Sequence, residues 1–177
     1  GLRGFGAHVI SLDSVRVPEG NLVGEKGGGY EIMLEAISME RVGVAAQAGG
    51  VAQAALDLSV EYAGQRIAQG KPIAKMPTIQ WLLAEMASRI EAGRWLTYRT
   101  AFLRDQVQSI RNESAAAKLF CSQMSVEVTR MAMQVHGAYG TMKSLPVERL
   151  YRDAKMTEVY VGVSEIQRAI IASHLIK

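Results

Sequence analysis

The apolar residues of this chain recur three and four positions apart over most of its length, the spacing of one face of an α-helix. One such stripe consists of Ile79, Leu82, Leu83, Met86, Ile90 and Gly93. Another consists of Ala116, Leu119, Phe120, Met124, Val128, Met131 and Val135. The first predicts a helix that opens at Pro77 or Thr78 and runs to about Val107. The second predicts a helix over residues 113–136, with Asn112 as its N-cap.

Further helices are predicted on both sides of these two. Residues 30–37 form a short helix, and a long one rich in Ala and Gly follows over residues 38–65. A shorter helix covers 146–155, and Ser164 caps a last one over 165–176. Long helices with short connectors predict a mainly α fold, an up-down four-helix bundle with a short β segment at the N-terminus.

Residues 1–28 have a different pattern. β-Branched residues at 8–13 and 15–17 partly alternate with polar ones, which predicts one or two strands before a glycine loop at 27–29. One or two strands cannot form a stable sheet alone. Residues 1–28 must therefore pack on the helices or belong to a sheet that is mostly missing, and we favour the second. We expect residues 29–177 to be a helical-bundle domain.

Composition argues against several classes of function. The net charge is +3 at pH 7 with acids and bases interspersed, so we expect no nucleic-acid partner. No apolar run approaches the roughly 18–20 residues of a transmembrane helix, so we expect no membrane span. Cys121 is the only cysteine, which rules out a disulfide framework and favours an intracellular setting. His8, His136 and His174 lie far apart, so we expect no metal site.

Five short motifs follow one another along the helical part of the chain. They are QRIAQGKPI at 65–73, LAEMA at 83–87, PVER at 146–149, RDAK at 152–155 and SEIQR at 164–168. Each motif is weak alone, but all five in this order, with these gaps, are highly specific. Together they resemble the C-terminal portion of the acyl-CoA dehydrogenases, and the similarity extends from His8 to Leu175.

The resemblance implies a C-terminal helical domain that follows, in the family, an N-terminal helical domain and a middle β-domain. It thus makes residues 1–28 the expected last strands and linker of a mostly missing middle β-domain. It implies a flavoprotein of fatty acid or amino acid catabolism that oxidises an acyl-CoA thioester to its 2,3-enoyl-CoA. A carboxylate removes the α-proton while the β-hydrogen leaves as hydride to N5 of FAD. The implied partners are acyl-CoA, further copies of the chain in a dimer or tetramer, and an electron-transfer flavoprotein. The implied location is the bacterial cytoplasm or the mitochondrial matrix.

The position of the family's catalytic base is changed in this chain. Most members carry a Glu before the last helix, where this chain has Val161, which cannot take a proton. The isovaleryl- and long-chain-type branches instead place a Glu directly before an Arg at the start of the first long helix, and Glu40-Arg41 matches that position. Two carboxylates at one site would repel each other, so one replaces the other. By resemblance Glu40 is the expected base, and a helix N-terminal acid favoured by the macrodipole is the alternative.

The same resemblance places four residues at the substrate. Arg41 matches an Arg near the substrate, although a core or surface ion pair also explains it. Ser38 falls where the family has a CoA-facing residue, or it caps the helix. Tyr160 and Gly162 flank Val161, and Gly162 matches a Gly beside the thioester.

A further group is expected at FAD. Arg66 matches an Arg that reaches the pyrophosphate of a neighbouring subunit's FAD, for which forked donors are suited; a solvated helix-end charge is the alternative. Gln69 replaces a Phe, which weakens the adenine-side contact. Gln134, Gly137 and Ala138 match a Gln-x-x-Gly-Gly stretch that borders the ADP moiety, while Gly137 is equally explained as a helix stop.

The remaining cofactor-side residues lie at the start of the last helix. Val163 replaces a Thr whose hydroxyl contacts flavin, so one hydrogen bond is lost. Ser164 and Glu165 fit the rest of the flavin-side pattern, and Ser164 is also a good N-cap. These changes leave open a second hypothesis, that the protein is a homologue that has lost dehydrogenation and acts as an acyl-CoA-binding or scaffold subunit. A plain helical interaction domain is the third reading.

Overall fold

The computed structural model describes residues 2–4, 6–106 and 108–176. Five α-helices account for most of them: α1 Gly29–Gln65, α2 Pro77–Asp105, α3 Arg111–His136, α4 Pro146–Thr157 and α5 Ser164–Leu175. Two short strands, β1 Ile67–Ala68 and β2 Lys71–Pro72, form an antiparallel pair between α1 and α2. Short 3-10 helices lie at Glu19–Asn21, Ile73–Lys75 and Gly137–Thr141. The prediction of a mainly α bundle is confirmed.

Helix α3 is at the centre of the bundle and packs against each of the other four helices. Helix α1 buries a stripe of small side chains, Ala45, Ala48, Ala52 and Ala55. Small side chains let helix backbones approach closely, and Gly93 of α2 shows the same effect. A Cβ on Gly93 would lie 3.0 Å from Cε of Met124 and 3.2 Å from Sγ of Cys121 on α3. The glycine therefore sets how closely α2 and α3 pack.

The predicted helix break between residues 37 and 38 is wrong. Helix α1 runs without interruption from Gly29 to Gln65, and Ser38 lies inside it. The Ser38 hydroxyl donates a hydrogen bond to the carbonyl of Leu34, 2.9 Å away, as a serine in mid-helix does. Ser38 is therefore not an N-cap.

Two other cap predictions are also wrong. Ile110, not Asn112, occupies the N-cap position of α3, and Asn112 lies in the first turn. Val163 is the N-cap of α5, so Ser164 is its first helical residue, and no side chain caps that end. Helix α2 ends at Asp105, while the predicted end, Val107, lies outside the described residues.

The strands predicted near the N-terminus do not form. The described residues between 6 and 18 have no regular secondary structure, because no other described strand lies beside them to complete a hydrogen-bonded ladder. The only strands among the described residues are β1 and β2, so the β segment is not at the N-terminus. None of the described helices has both the length and the apolar character needed to cross a bilayer. The division into domains at residue 28 stays a prediction.

Candidate functional site

The loop between α4 and α5 holds two residues in the left-handed region of backbone conformation. Val161 has φ = 54° and Gly162 has φ = 87°. A β-branched residue rarely adopts a positive φ, and its presence is a local strain that the surrounding contacts must hold. The positive φ of Gly162 favours glycine, and a Cβ there would also lie 2.8 Å from Nε2 of Gln167, which would have to move.

Two buried side chains hold this loop from different helices. Nζ of Lys118 on α3 donates hydrogen bonds to the carbonyls of Glu158, at 3.1 Å, and Gly162, at 2.7 Å. Nε2 of Gln167 on α5 donates to the carbonyls of Gly162, at 2.9 Å, and Val161, at 3.3 Å. Both side chains are fully buried. The loop conformation is therefore set by residues that are distant in sequence.

Burial also changes the charge state of Lys118. Removal from water lowers the pKa of its ammonium from 10.5 to about 8. Glu158 and Glu165 raise this pKa, and the positive charge of Arg41 lowers it. No metal site accompanies this group, because no cluster of three or more His, Cys, Asp or Glu among the described residues could hold a metal ion.

Tyr160 joins the loop to helix α1. Its hydroxyl donates a hydrogen bond to Oε1 of Gln47. Burial raises the pKa of Tyr160, and the bond to Gln47 lowers it. Helical spacing puts Glu40, Gly43 and Gln47 on one face of α1, and all three are exposed. Glu40 therefore lies on the face of α1 that the Tyr160 loop contacts, two turns or about 10.5 Å along the helix from Gln47.

Arg41 points elsewhere, into the bundle. Its side chain is 5% exposed, and its Nε has no hydrogen-bond partner among the described residues. Burial lowers the pKa of Arg41, and the nearby positive charge of Arg111 lowers it further. Arg41 also lies close enough to Lys118 for their charges to interact. The structure thus puts Arg41, Arg111 and Lys118 near one end of α3. Arg41 and Lys118 are both buried, and neither forms an ion pair with a carboxylate of the described residues.

Ser38 is not brought together with Glu40. Two residues apart on a helix, they face opposite sides of α1. Ser38 lines a cavity of about 530 Å³ between α1 and the facing ends of α2 and α3. Glu35, Arg104 and Arg111 also line it, and Arg104 forms an ion pair with Glu35.

Several of the residues expected at FAD gather where α1 and α3 end. The guanidinium of Arg66 lies 5.4 Å from the centre of the Tyr139 ring, a cation–π contact. Gln134, Gly137 and Ala138 come just before Tyr139 and are exposed. The Arg66 contact with Tyr139 was missed from the sequence, since nothing in the pattern of either stretch signals the other.

Other details of this end agree with simple structural roles. Gly137 has φ = 59° and ends α3, as a helix stop does. His136 is buried, stacks on Tyr62 with ring centres 4.3 Å apart, and is a core residue. Gln69, with φ = 52°, and Gly70 form the two-residue turn between β1 and β2, and Gln69 is exposed.

The other residues expected at FAD lie at the start of α5. Val163, Ser164 and Glu165 line a cavity of about 200 Å³ that also includes Gln123 of α3. The Ser164 Oγ is buried and has no partner among the described residues. Gln123 and Gln134 lie on the same helix, about 16 Å apart along its axis. The two groups expected at FAD therefore stand at separate places on one chain.

Comparisons with known proteins identify the family. A sequence model described as "Acyl-CoA dehydrogenase, C-terminal domain" matches residues 27–176. The acryloyl-CoA reductase (NADH) of Anaerotignum propionicum is 45% identical over 177 residues, which cover 100% of this chain and 45% of the relative. The mitochondrial short-chain specific acyl-CoA dehydrogenase of Rattus norvegicus is 43% identical over 177 residues, 100% of this chain and 43% of that enzyme.

The fold gives the same result. Butyryl-CoA dehydrogenase from Megasphaera elsdenii superposes with a TM-score of 0.89 and 40% sequence identity, over 91% of this chain and 42% of that chain. This chain spans less than half the length of these relatives. The chain therefore belongs to the acyl-CoA dehydrogenase family and contains its C-terminal domain.

Proposed function

We propose that the protein containing this chain is a flavin-dependent acyl-CoA dehydrogenase that uses Glu40 as its base. The hydrogen bond from Tyr160 to Gln47 carries the proposal, because it brings the loop containing Val161 onto the face of α1 that presents Glu40. Val161 leaves position 161 of this loop without a carboxylate, and Glu40 would supply one from the helix beside it. Glu40 is exposed, so a ligand can reach it.

The proposed reaction removes the α-proton of an acyl-CoA thioester onto a carboxylate oxygen of Glu40. Gly43, one turn further along α1, leaves room for a ligand, since a Cβ there would meet nothing within 4 Å. Tyr160 and Gly162 would border the thioester, and the buried charge of Arg41 would lie behind Glu40. Ser38 would act on the other side of α1, at the cavity it lines.

FAD is the proposed cofactor, and it would supply the hydride-accepting chemistry when bound. The residues of this chain fit such a ligand. The Ser164 Oγ is a buried polar atom that no described residue satisfies, as a group that receives a ligand can be. Arg66 offers an exposed guanidinium suited to a diphosphate. Gln69, Gln134, Gly137 and Ala138 would lie beside Arg66, and Val163 and Glu165 beside Ser164.

Partners and neighbouring domains belong to the same proposal. We propose a homo-oligomer, because the residues expected at FAD form two separate groups on one chain and a neighbouring copy can join them. An electron-transfer flavoprotein is the proposed acceptor, and the cell interior the proposed location. Residues 2–28 would pack on a β-domain, which agrees with their many exposed apolar side chains: Val9, Ile10, Leu12, Val15 and Val17.

The direction of the reaction depends on the electron partner. One relative is named for the reduction of acryloyl-CoA and another as an acyl-CoA dehydrogenase. A group that removes a proton in one direction returns it in the other, so Glu40 has the same role in both.

The test uses the whole protein that contains this chain, with Glu40 replaced by Gln. Acyl-CoA added in the absence of oxygen should bleach the flavin absorbance of the wild type. In Glu40→Gln the rate of bleaching should be lower by a factor of about 100 or more. Glu61→Gln is the control, because Glu61 is also an exposed glutamate of α1. An unchanged bleaching rate in Glu40→Gln would show that Glu40 is not the base. Wild-type protein that binds acyl-CoA but is never bleached would favour the scaffold subunit.

A further inference from the structure

Lys118 is a buried charged residue to which the reaction above assigns no role. Its side chain is among the largest fully buried ones of the described chain. Its two hydrogen bonds go to backbone carbonyls, those of Glu158 and Gly162, 40 and 44 positions later. No carboxylate of the described residues forms an ion pair with it. Burying a lysine without such a pair costs free energy of desolvation, which an apolar side chain at the same position would not.

The loop that Lys118 contacts needs an anchor. Val161 and Gly162 both have positive φ, and the valine is strained in this conformation. Gln167 donates to Gly162 as well, so the Gly162 carbonyl receives donors from α3 and α5 together. Lys118 alone also reaches Glu158, at the start of the loop. Its two bonds therefore span the loop, whereas those of Gln167 reach only its second half.

Charges face Lys118 from three sides. Arg41 lies on α1, Glu158 in the loop and Glu165 on α5, and each acts on the ammonium through space. The electrostatic effects of one cation and two carboxylates on the ammonium partly offset each other. We therefore attribute the effect of Lys118 on the loop conformation to its direct hydrogen bonds.

We propose that Lys118 is a positioning residue, whose N–H donors bind the carbonyls of Glu158 and Gly162 and thereby hold Tyr160 and Gly162 against the Glu40 face of α1. The proposal rests on the proposed function in one respect only, namely that the group positioned by the loop is the acyl-CoA thioester. That Lys118 holds the loop is a separate claim, which can be tested without activity.

The first measurement is hydrogen exchange of the loop amides in Lys118→Met, which keeps an unbranched side chain only one atom shorter and removes its donors. We expect amides of residues 158–163 to exchange about tenfold faster or more, while amides of α2 stay protected. Lys75→Met is the matched control, since Lys75 is exposed, far from the loop in sequence and outside the proposed site. Lys118→Arg keeps charged donors and should recover part of the protection. Unchanged exchange in Lys118→Met would overturn the proposal.

A second measurement needs no substitution and decides the matter if Lys118→Met does not fold. In the wild type, the Nζ protons of Lys118 should be protected from solvent and show NMR couplings across the hydrogen bonds to the carbonyl carbons of Glu158 and Gly162. A Lys118 signal that exchanges as fast as that of Lys75 would overturn the proposal.

Activity of the whole protein provides the last step. Lys118→Met should lower kcat/KM for acyl-CoA about tenfold or more, and Lys118→Arg should restore part of it. Full kcat/KM in Lys118→Met despite a loosened loop would overturn the positioning role. If the wild type itself has no activity, the proposed function fails, and the exchange and NMR results still decide whether Lys118 holds the loop.

Discussion

The hydroxyl of Tyr160 donates a hydrogen bond to Oε1 of Gln47, a residue 113 positions earlier in the chain. This contact links the loop after α4 to the exposed face of α1. It is the one hydrogen bond between side chains that the described residues show between these two segments. The bond therefore contributes, with those of Lys118 and Gln167, to the position of the loop relative to Glu40.

Replacing Gln47 by Leu removes the acceptor of that bond. The bond lowers the pKa of Tyr160 and burial raises it, so we expect a higher pKa for Tyr160 in the variant. The free energy of unfolding should fall by about 1 kcal/mol. NMR titration of the tyrosine Cζ signals measures the first, and urea unfolding the second. Gln65→Leu, at an exposed position of the same helix, should leave the Tyr160 titration unchanged; equal effects of the two variants would contradict the link.

Replacing Arg41 by Met removes a buried charge that has no carboxylate partner among the described residues. Since an unpaired buried cation destabilises the folded state, we expect the free energy of unfolding to rise by about 1 kcal/mol or more. Substrate binding by the whole protein should weaken at the same time. Arg94→Met is the control, because Arg94 is half-exposed and pairs with Glu91 at 2.6 Å; it should change stability by less than about 1 kcal/mol. Marked destabilisation by Arg41→Met would show that the charge is satisfied.

Stability should rise with pH because of Lys118. Its pKa is about 8 in the folded chain against an ordinary 10.5, so between these values the unfolded chain holds a proton that the folded chain has lost. Unfolding then takes up roughly one proton, and the free energy of unfolding rises by at most about 1.4 kcal/mol per pH unit. The neutral amine keeps two N–H donors for its two carbonyls. Urea unfolding of the wild type and of Lys118→Met at several pH values isolates this contribution, as the difference between their free energies of unfolding. A constant difference between them from pH 7 to 10 would contradict it.

Replacing Gly140 by Ala should destabilise the turn after α3. A Cβ at Gly140 would lie 2.7 Å from the carbonyl oxygen of Met133 and 3.0 Å from its Cα, and these backbone atoms cannot move aside easily. We expect the free energy of unfolding to fall by about 1–3 kcal/mol. Gly64→Ala, where a Cβ meets nothing within 4 Å, should instead raise it by up to about 1 kcal/mol. Thermal unfolding of both variants makes the comparison, and loss of stability at both positions would point to a cause other than this contact.

The helices were predictable because their apolar spacing is a local property. The stripe from Ile79 to Gly93 lies on the buried or half-buried side of α2, as expected. The break predicted before Ser38 failed because a serine in mid-helix and a serine at a cap look alike in sequence. Only its bond to Leu34 distinguishes them.

The geometry of the site could not be predicted from local patterns. Nothing in the residue types of the loop indicates that Val161 takes a positive φ. That conformation depends on Lys118 and Gln167, which are remote from the loop or on the helix that follows it. Ser38 and Glu40 face opposite sides because both lie inside α1, whereas the sequence left open that Ser38 is a cap. The role of Glu40 stays a prediction.

The uninterrupted α1 makes its first two turns a rigid arm. The helix is about 55 Å long, and its buried residues begin only at Ser38, so the part before it extends beyond the core. The ion pair of Arg104 with Glu35 braces this arm from α2. A change in the direction of the chain before the arm is therefore easiest at the glycines that precede it, where Gly27 has φ = 92°. Two glycines, Gly27 and Gly28, thus lie between the N-terminal segment and the arm, and the proposed base, Glu40, lies on the bundle side of them.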